Sequence, residues 1–364
     1  MKRALSKIFG SQQSGIILVI LLIGTVLTVF SGSHPDRVTG GMVNNFLNQY
    51  TLMQTATDAS FFAIMAIGAT IVVISGGIDL SVGSIYAFAG VITAMALRAM
   101  GPMDSIPSIL TAATLCIGIG LACGLVNGLM IVGLKVHPFI ITLGTMWIFR
   151  GIAFVSSKAE SILVPDCLTN FTKATFGLGA MYPVPMIIMI VTTIIGVIYL
   201  SKTVMGRHIY AIGGNGDASR YSGLRVGRIT TGVYVISGLT AGLAAFVGTT
   251  YYGSASCADA TGYELYVIAS AVVGGASLSG GKGSAFSAML GAVLIILIRQ
   301  SIRSLHLDQN YEWIIIGCAI IVAVVLDRLN ARLTAKRLLA AEDRRRIGKD
   351  GREMRPSRPR TGML

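Results

Sequence analysis

Residues 59–98 read ASFFAIMAIGATIVVISGGIDLSVGSIYAFAGVITAMALR: two apolar runs, broken by a Gly-Gly pair, one aspartate and three serines. Each run comes close to the ~20 residues a helix needs to cross hydrocarbon. A backbone in lipid must satisfy its own hydrogen bonds, so such runs read as membrane helices. Gly76 and Gly77 weaken the helix between them, while Asp79, Ser81 and Ser84 put polar groups where they are costly. Two readings fit. One is a broken helix facing protein or a water-filled cavity, hence an element of a pathway or gate. The other is a short cytoplasmic turn in which Asp79 is a solvated helix cap.

The pattern extends along the chain. Further apolar runs lie near residues 15–30, 109–133, 138–155, 184–200, 230–252, 264–279, 285–300 and 312–326. The expected fold is therefore an all-α polytopic membrane protein with about ten transmembrane helices, some of them interrupted. A 53% hydrophobic, 12% charged composition and a mean hydropathy of +0.73 agree, since soluble domains carry about twice that charge. Three regions follow: a cytoplasmic N-terminus over 1–14, a transmembrane domain over 15–326 and a basic cytoplasmic tail over 327–364. The first run follows Lys2, Arg3 and Lys7 but lacks a small-x-small cleavage pattern, so it reads as an uncleaved helix rather than a signal peptide. Segment 43–58, VNNFLNQYTLMQTATD, is too polar for a lipid-facing span. It reads as an interfacial entry to the second span or as the lining of a cavity.

A formal net charge of +13 invites a nucleic-acid reading, but twelve of the basic residues fall in the tail beyond Leu326. A basic segment after a membrane span is a topology determinant and a surface for anionic lipid, so no nucleic-acid partner is expected. Alternating the runs from a cytoplasmic N-terminus puts twenty-two basic residues inside and seven outside, which satisfies the positive-inside rule and leaves both termini cytoplasmic. Cys116, Cys123, Cys167, Cys257 and Cys318 show no Cys-x-x-Cys spacing, and His34, His137, His208 and His306 are scattered. No metal site is expected.

Two more stretches depart from plain membrane helix. Val273-Gly-Gly-Ala-Ser-Leu-Ser-Gly-Gly-Lys-Gly-Ser284 echoes the first interruption: Gly274 and Gly275 match Gly76 and Gly77, and Leu278-Ser279 matches Leu80-Ser81. Both join an inward helix to an outward one, which suggests a parallel internal repeat. Gly281-Lys282 is not a phosphate-binding loop, because Ala276 and Gly283 stand where the motif needs Gly and Ser or Thr. The other stretch is the long inside loop over 201–228. There Gly213 and Gly214 make a turn, Asn215 or Asp217 can cap a short helix, and Gly223 ends it. Ala218 and Ser219 permit close approach, with Arg220 and Arg225 on the polar side. Such a helix is shaped to dock into a groove on another protein, against the plainer reading of an ordinary connector.

Together SGGIDLSVGS, HPFIITLGTMWIFRGIAF, MGRHIYAIGGNGDASRYSGLRV and GYELYVIASAVVGGASLSGGKGS resemble the permease subunit of sugar-importing ABC transporters of the ribose, xylose and arabinose type, related to branched-chain amino-acid permeases. The resemblance spans about residues 15–326. It implies a multi-pass permease of the bacterial inner membrane that pairs with a second permease copy or a paralogue. It also implies cytoplasmic ABC ATPase subunits and a periplasmic sugar-binding protein as partners. ATP and Mg would reside on the ATPase, with no cofactor bound by this chain. The family's ATPase-docking loop falls on Asp217, Ala218, Ser219 and Gly223, so the coupling residues are Gly213, Gly214, Asn215, Asp217, Ala218, Ser219, Arg220 and Gly223. The translocation path or gate draws on Gly76, Gly77, Asp79, Ser81, Asn127, Gly274, Gly275 and Ser279, with Asn44, Asn45, Gln54 and Tyr86 as further polar candidates. The family commonly has Asp where this chain has Tyr266. Two other readings compete: an ion-coupled secondary transporter, for which only Asp79 and Asp58 would serve as intramembrane acids, and an ABC permease for another small polar solute such as an amino acid. A membrane-embedded enzyme would need a nucleophile, paired acids or a metal cluster within the spans, and the sequence shows none.

Overall fold

The computed structural model describes residues 12–35, 40–175, 182–305, 307–315, 317–318, 321–322 and 325. It divides into Met1–Ile320 and Ile321–Leu364, and the expected basic tail over 327–364 lies outside the described residues. In the first unit the order is α1 (Gln12–Phe30), β1 (Ser33–Pro35), β2 (Met42–Asn44), α2 (Gln49–Ile74), α3 (Val82–Met100), α4 (Ser105–Leu134) and α5 (Pro138–Ser157). There follow β3 (Ile162–Leu163), α6 (Asp166–Thr172), α7 (Pro183–Lys202), α8 (Val204–Gly214), α9 (Gly216–Tyr221) and α10 (Val226–Tyr252). The unit closes with β4 (Ser254–Ala255), α11 (Tyr263–Val273) and α12 (Ala285–Ser304). Two small antiparallel pairs, β1 with β2 and β3 with β4, are the strands among the described residues.

Among the described residues eight helices are long and apolar enough to span a bilayer: α1 to α5, α7, α10 and α12. The tenth expected run, 312–326, lies only partly within the described residues. The run expected over 264–279 is cut short, because α11 stops at Val273. There Gly275 takes φ +96°, a left-handed turn that costs glycine little and other residues more.

Burial separates the helices. Within its apolar window α2 is buried on all sides, whereas α1 is 11% buried and α4, α5 and α7 are about a third buried. A helix apolar all round and enclosed by protein is the core of the bundle. Helices α7, α8, α10, α11 and α12 pack against it. The exposed leucines and isoleucines of α1, α4, α5 and α7 form the surface a bilayer would cover. Segment 43–58 departs from the interfacial reading: residues 49–58 are the first turns of α2, with Thr55, Thr57 and Asp58 buried. These three polar side chains face protein, which removes the penalty that made this part of the segment look unlike a span.

The tightest helix pair is α4 with α10. A Cβ at Gly124 would fall on the Tyr234 carbonyl oxygen, one at Gly128 would lie 2.7 Å from Thr231 Cα, and one at Gly242 would fall on the Cys116 carbonyl oxygen. Glycines four apart let two membrane backbones meet where lipid gives no hydrophobic drive. Arg150 of α5 holds the 254–262 loop against the bundle, donating to the carbonyls of Cys257 (2.8 Å) and Ala260 (3.2 Å). A Cβ on Gly83, in the first turn of α3, would lie 2.6 Å from Ala260 O, so this loop reaches as far as the start of α3.

Candidate functional site

The first interruption ends α2 with paired bonds: Gly76 N donates to Val73 O and Gly77 N to Val72 O, both at 3.0 Å. Gly76 takes φ +86°. The chain then turns inside the bundle. Asp79 is 2% exposed. Its Oδ1 accepts from the Ser81 amide (2.9 Å) and hydroxyl (2.6 Å), and its Oδ2 accepts from the Ser237 hydroxyl (2.8 Å). Asn127 Nδ2 donates to Ser81 Oγ at 2.8 Å, while Asn127 Oδ1 is buried without a partner. Thr142 Oγ1 and Tyr234 OH donate to the Ile78 carbonyl at 3.2 and 3.4 Å.

This turn is therefore not a solvated cap. Ser237 stands eleven residues into α10, about 16 Å along it at 1.5 Å per residue. At that depth the carboxylate is stabilised by three donors drawn from its own turn and from α10. The structure brings together Gly77, Asp79, Ser81 and Asn127, all singled out by sequence. A Cβ on Gly77 would strike Tyr234 OH. Tyr234, Ser237 and Thr142 escape a sequence reading, because lone hydroxyls inside apolar runs look like ordinary membrane-helix residues.

The second interruption ends α11 in the same way, with Gly275 N donating to Val272 O (2.8 Å) and Ala276 N to Ala271 O (2.9 Å). The left-handed residue, Gly275, is thus the structural counterpart of Gly76, one residue out of step with the sequence echo. The side-chain turns keep the sequence pairing: Ser279 N approaches Ser277 Oγ at 3.4 Å, as Ser81 N approaches Asp79. Gly274 packs under the Ser287 carbonyl of α12.

The loop over 201–228 meets this second turn. Gly213, near the end of α8, sits so close that a Cβ there would fall on the Ile74 carbonyl and lie 2.6 Å from Gly281 N. Gly281 N itself donates to Ile74 O at 2.8 Å, and Tyr210 OH donates to Gly283 O at 2.7 Å. A Cβ on Gly281 would lie 3.1 Å from Gly214. Hence α8, the end of α2 and the second turn form one backbone-to-backbone junction. Beyond it Asn215 caps α9, its Oδ1 accepting from Ala218 N at 2.9 Å. At the other end Leu224 N donates to Ser219 O (3.1 Å) and Gly223 N to Arg220 O (3.0 Å), with Gly223 at φ +88°. That pairing is the glycine-terminated helix stop expected of Gly223. Asp217, Ala218, Arg220 and Gly223 are exposed, and Ser219 anchors α9 inward.

A third constellation lies at the opposite end of α2. Asp58 Oδ1 accepts from Gln54 Nε2 (2.8 Å) and Tyr252 OH (3.4 Å), while Oδ2 lies 3.5 Å from Arg303 Nη1. Tyr251 OH donates to Gln54 Oε1 at 3.2 Å. Nearby, Arg299 Nε lies 3.0 Å from Glu312 Oε1, and Tyr266 OH donates to the same oxygen. Phe62 packs on Tyr263 and Tyr266 at 4.4 and 5.7 Å between ring centres, and Phe61 on Tyr252 at 5.6 Å. Sequence reasoning named Gln54, Asp58 and Tyr86 and noted Tyr266 only as a departure. Arg299, Arg303 and Glu312 sit at span ends, where charges are common, and carry no signal by themselves. Asn44 and Asn45 lie elsewhere: Asn44 Oδ1 accepts from the Phe46 and Leu47 amides, and Asn45 bonds His34, in the turn after α1. Among the described residues no cluster of three or more His, Cys, Asp or Glu is placed to hold a metal.

Comparison with known proteins places this arrangement. Residues 51–325 match the family described as branched-chain amino acid transport system / permease component. The D-allose transport system permease protein of Escherichia coli (strain K12) is 34% identical over 310 residues, covering 85% of this chain and 90% of that protein. The ribose import permease protein of Bacillus subtilis (strain 168) is 35% identical over 287 residues, covering 78% and 86%. The fructose import permease protein of Rhizobium meliloti is 29% identical over 297 residues, covering 80% and 81%. With three quarters of its length inside the family match and eight helices among its described residues able to cross a bilayer, the chain belongs to the permease-component family of branched-chain amino-acid transport systems and is a multi-pass membrane transport component.

Proposed function

We propose that this chain is the membrane-spanning permease subunit of an ATP-driven, binding-protein-dependent importer that carries a monosaccharide across the bacterial inner membrane. Both termini lie in the cytoplasm, and α9 docks on a cytoplasmic ABC ATPase. The observation that carries this reading is the junction of Gly213, Ile74 and Gly281. It joins the exposed helix α9 through α8 to the end of the core helix α2 and to the turn after α11, backbone against backbone. Packed backbones transmit displacement because close-packed interiors are stiff.

The resident energy source lies outside the chain: ATP and Mg belong to the ATPase, and this subunit binds no cofactor. A second permease copy or a paralogue completes the pathway, and a periplasmic sugar-binding protein delivers the solute. The names of the allose, ribose and fructose permeases support a sugar. So does the charge balance at the far end of α2, where Arg299 is matched by Glu312 and Arg303 by Asp58. The pairing leaves no unmatched charge between these four groups for an ionised solute to answer. A neutral, hydroxyl-rich solute is served by Gln54, Asp58 and the surrounding tyrosine faces.

Reconstituting the permease with its ATPase and binding protein in vesicles tests the reading. Accumulation of labelled ribose, allose or fructose should require ATP and survive an uncoupler. Uptake by the permease alone that collapses with the uncoupler would establish the ion-coupled alternative instead.

A further inference from the structure

A cleft of about 580 Å³ opens between the last turns of α4 and the segment that joins α9 to α10. Leu129 and Val132 of α4 and Leu224 form its apolar wall, and Arg220, Arg225 and Arg228 rim it. All three arginines are exposed. Among the described residues the ion pairs are those of Arg299 with Glu312 and Arg303 with Asp58, so the rim holds three cations without a carboxylate partner. The floor is firm, since a Cβ on Gly227 would lie 2.9 Å from Val132 Cγ1.

Position supplies the second argument. Helix α4 has 30 residues, about 45 Å, against a hydrocarbon thickness of about 30 Å, so its ends reach the headgroup layer. Its face leading to the cleft exposes Leu125, Val126 and Leu129 at 43%, 43% and 57%, a surface suited to acyl chains. Charge and apolar wall thus meet at the level where a lipid changes from phosphate to hydrocarbon.

We propose that this cleft holds an anionic phospholipid, its phosphate between Arg225 and Arg228 with Arg220 closing over it, and its chains along α4. Arginine suits this role because its guanidinium fork matches phosphate oxygens. Arg220 belongs to α9, so the bound lipid ties that helix to α4 and α10. The inference rests on the membrane reading of the fold and not on the proposed sugar or ATPase.

The test uses the full chain in nanodiscs, with Trp147→Phe and Trp313→Phe removing the native fluorophores and Leu129→Trp placing one in the cleft. Brominated phosphatidylglycerol at low mole fraction in phosphatidylcholine should quench the reporter far more than brominated phosphatidylcholine does. The double variant Arg225→Gln/Arg228→Gln should abolish that preference, with affinity falling about fivefold for each arginine removed. Unchanged circular dichroism and elution would show that the variant stays folded. Equal quenching by both lipids, or a preference indifferent to the arginines, overturns the proposal. So does loss of the preference in low-millimolar inorganic phosphate, which would mark a free-anion site. Normal lipid behaviour of the double variant with impaired capture of the ATPase would assign the cleft to a protein and overturn it equally.

Discussion

The two interruptions, residues 75–81 and 274–284, begin alike and are held in unlike ways. Each opens with a left-handed glycine, Gly76 or Gly275, closing a helix through the same pair of backbone bonds. From there the first turn is fastened by side chains. Asp79, Ser81, Asn127, Ser237, Thr142 and Tyr234 tie it to α4, α5 and α10. The second is fastened chiefly by backbone, through Gly281 to Ile74 and against Gly213 and Gly214, with one side-chain bond from Tyr210 to the Gly283 carbonyl. A turn held by buried polar bonds is fixed in one arrangement, since every broken bond strands a donor or acceptor. A turn held by glycine contacts follows whatever moves the partner backbone. The first interruption is thus an anchor, and the second is the place where the α8–α9 unit reaches the core.

The sharpest way to break this contrast is Gly213→Val. The added side chain meets the Ile74 carbonyl, which has no rotamer to escape into, so the cost should approach the ~3 kcal/mol of severe overpacking. Uptake should be lost, and melting of the detergent-purified protein should show the destabilisation. A variant that melts and transports normally would mean that the junction is loose.

Asp79→Ala should come next, at about 2–3 kcal/mol, because the Ser81 amide and the Ser81 and Ser237 hydroxyls lose their acceptor in a buried site. Asp79→Asn retains one acceptor oxygen and should recover part of that loss. If Ala and Asn melt together with the parent chain, the anchor role is wrong.

Asn215→Ala and Gly223→Ala address α9 from its two ends. The first removes the N-cap, the second places a Cβ at φ +88°, and each should cost about 1 kcal/mol locally. The expected signature is faster amide exchange over 216–222 and weaker ATPase capture, with global melting little changed. Protection that stays at the parent level in both variants would remove the caps from the account.

The smallest effect belongs to Lys282→Ala. This exposed charge of the second turn should alter stability by no more than about 0.5 kcal/mol, in contrast to the buried charge of the first. A large shift in melting would show that the second turn, too, depends on a charged side chain of its own.

Much of this arrangement is legible from residue order. Gly223 as a helix stop, Asn215 as a cap and the Gly-Gly echo follow from local backbone preference, which needs no tertiary partner. The span over 264–279 misleads because hydropathy counts Ala276 and Leu278 as helix, whereas Gly275 has already turned the chain. Segment 43–58 misleads in the opposite sense. Thr55, Thr57 and Asp58 look unfit for a span until the structure surrounds them with protein.

By itself the sequence determined that this is a bundle of membrane helices, where the helices break and which short helix protrudes. Those outcomes depend on hydrophobicity, glycine and capping residues acting within a few positions. Only the tertiary structure decided that Asp79 is an internal anchor, that α2 is the core and that Gly213 meets Ile74 and Gly281. Such facts depend on which backbones approach one another across long separations in the chain, and a glycine or a serine reads the same in sequence whether or not a neighbour presses against it.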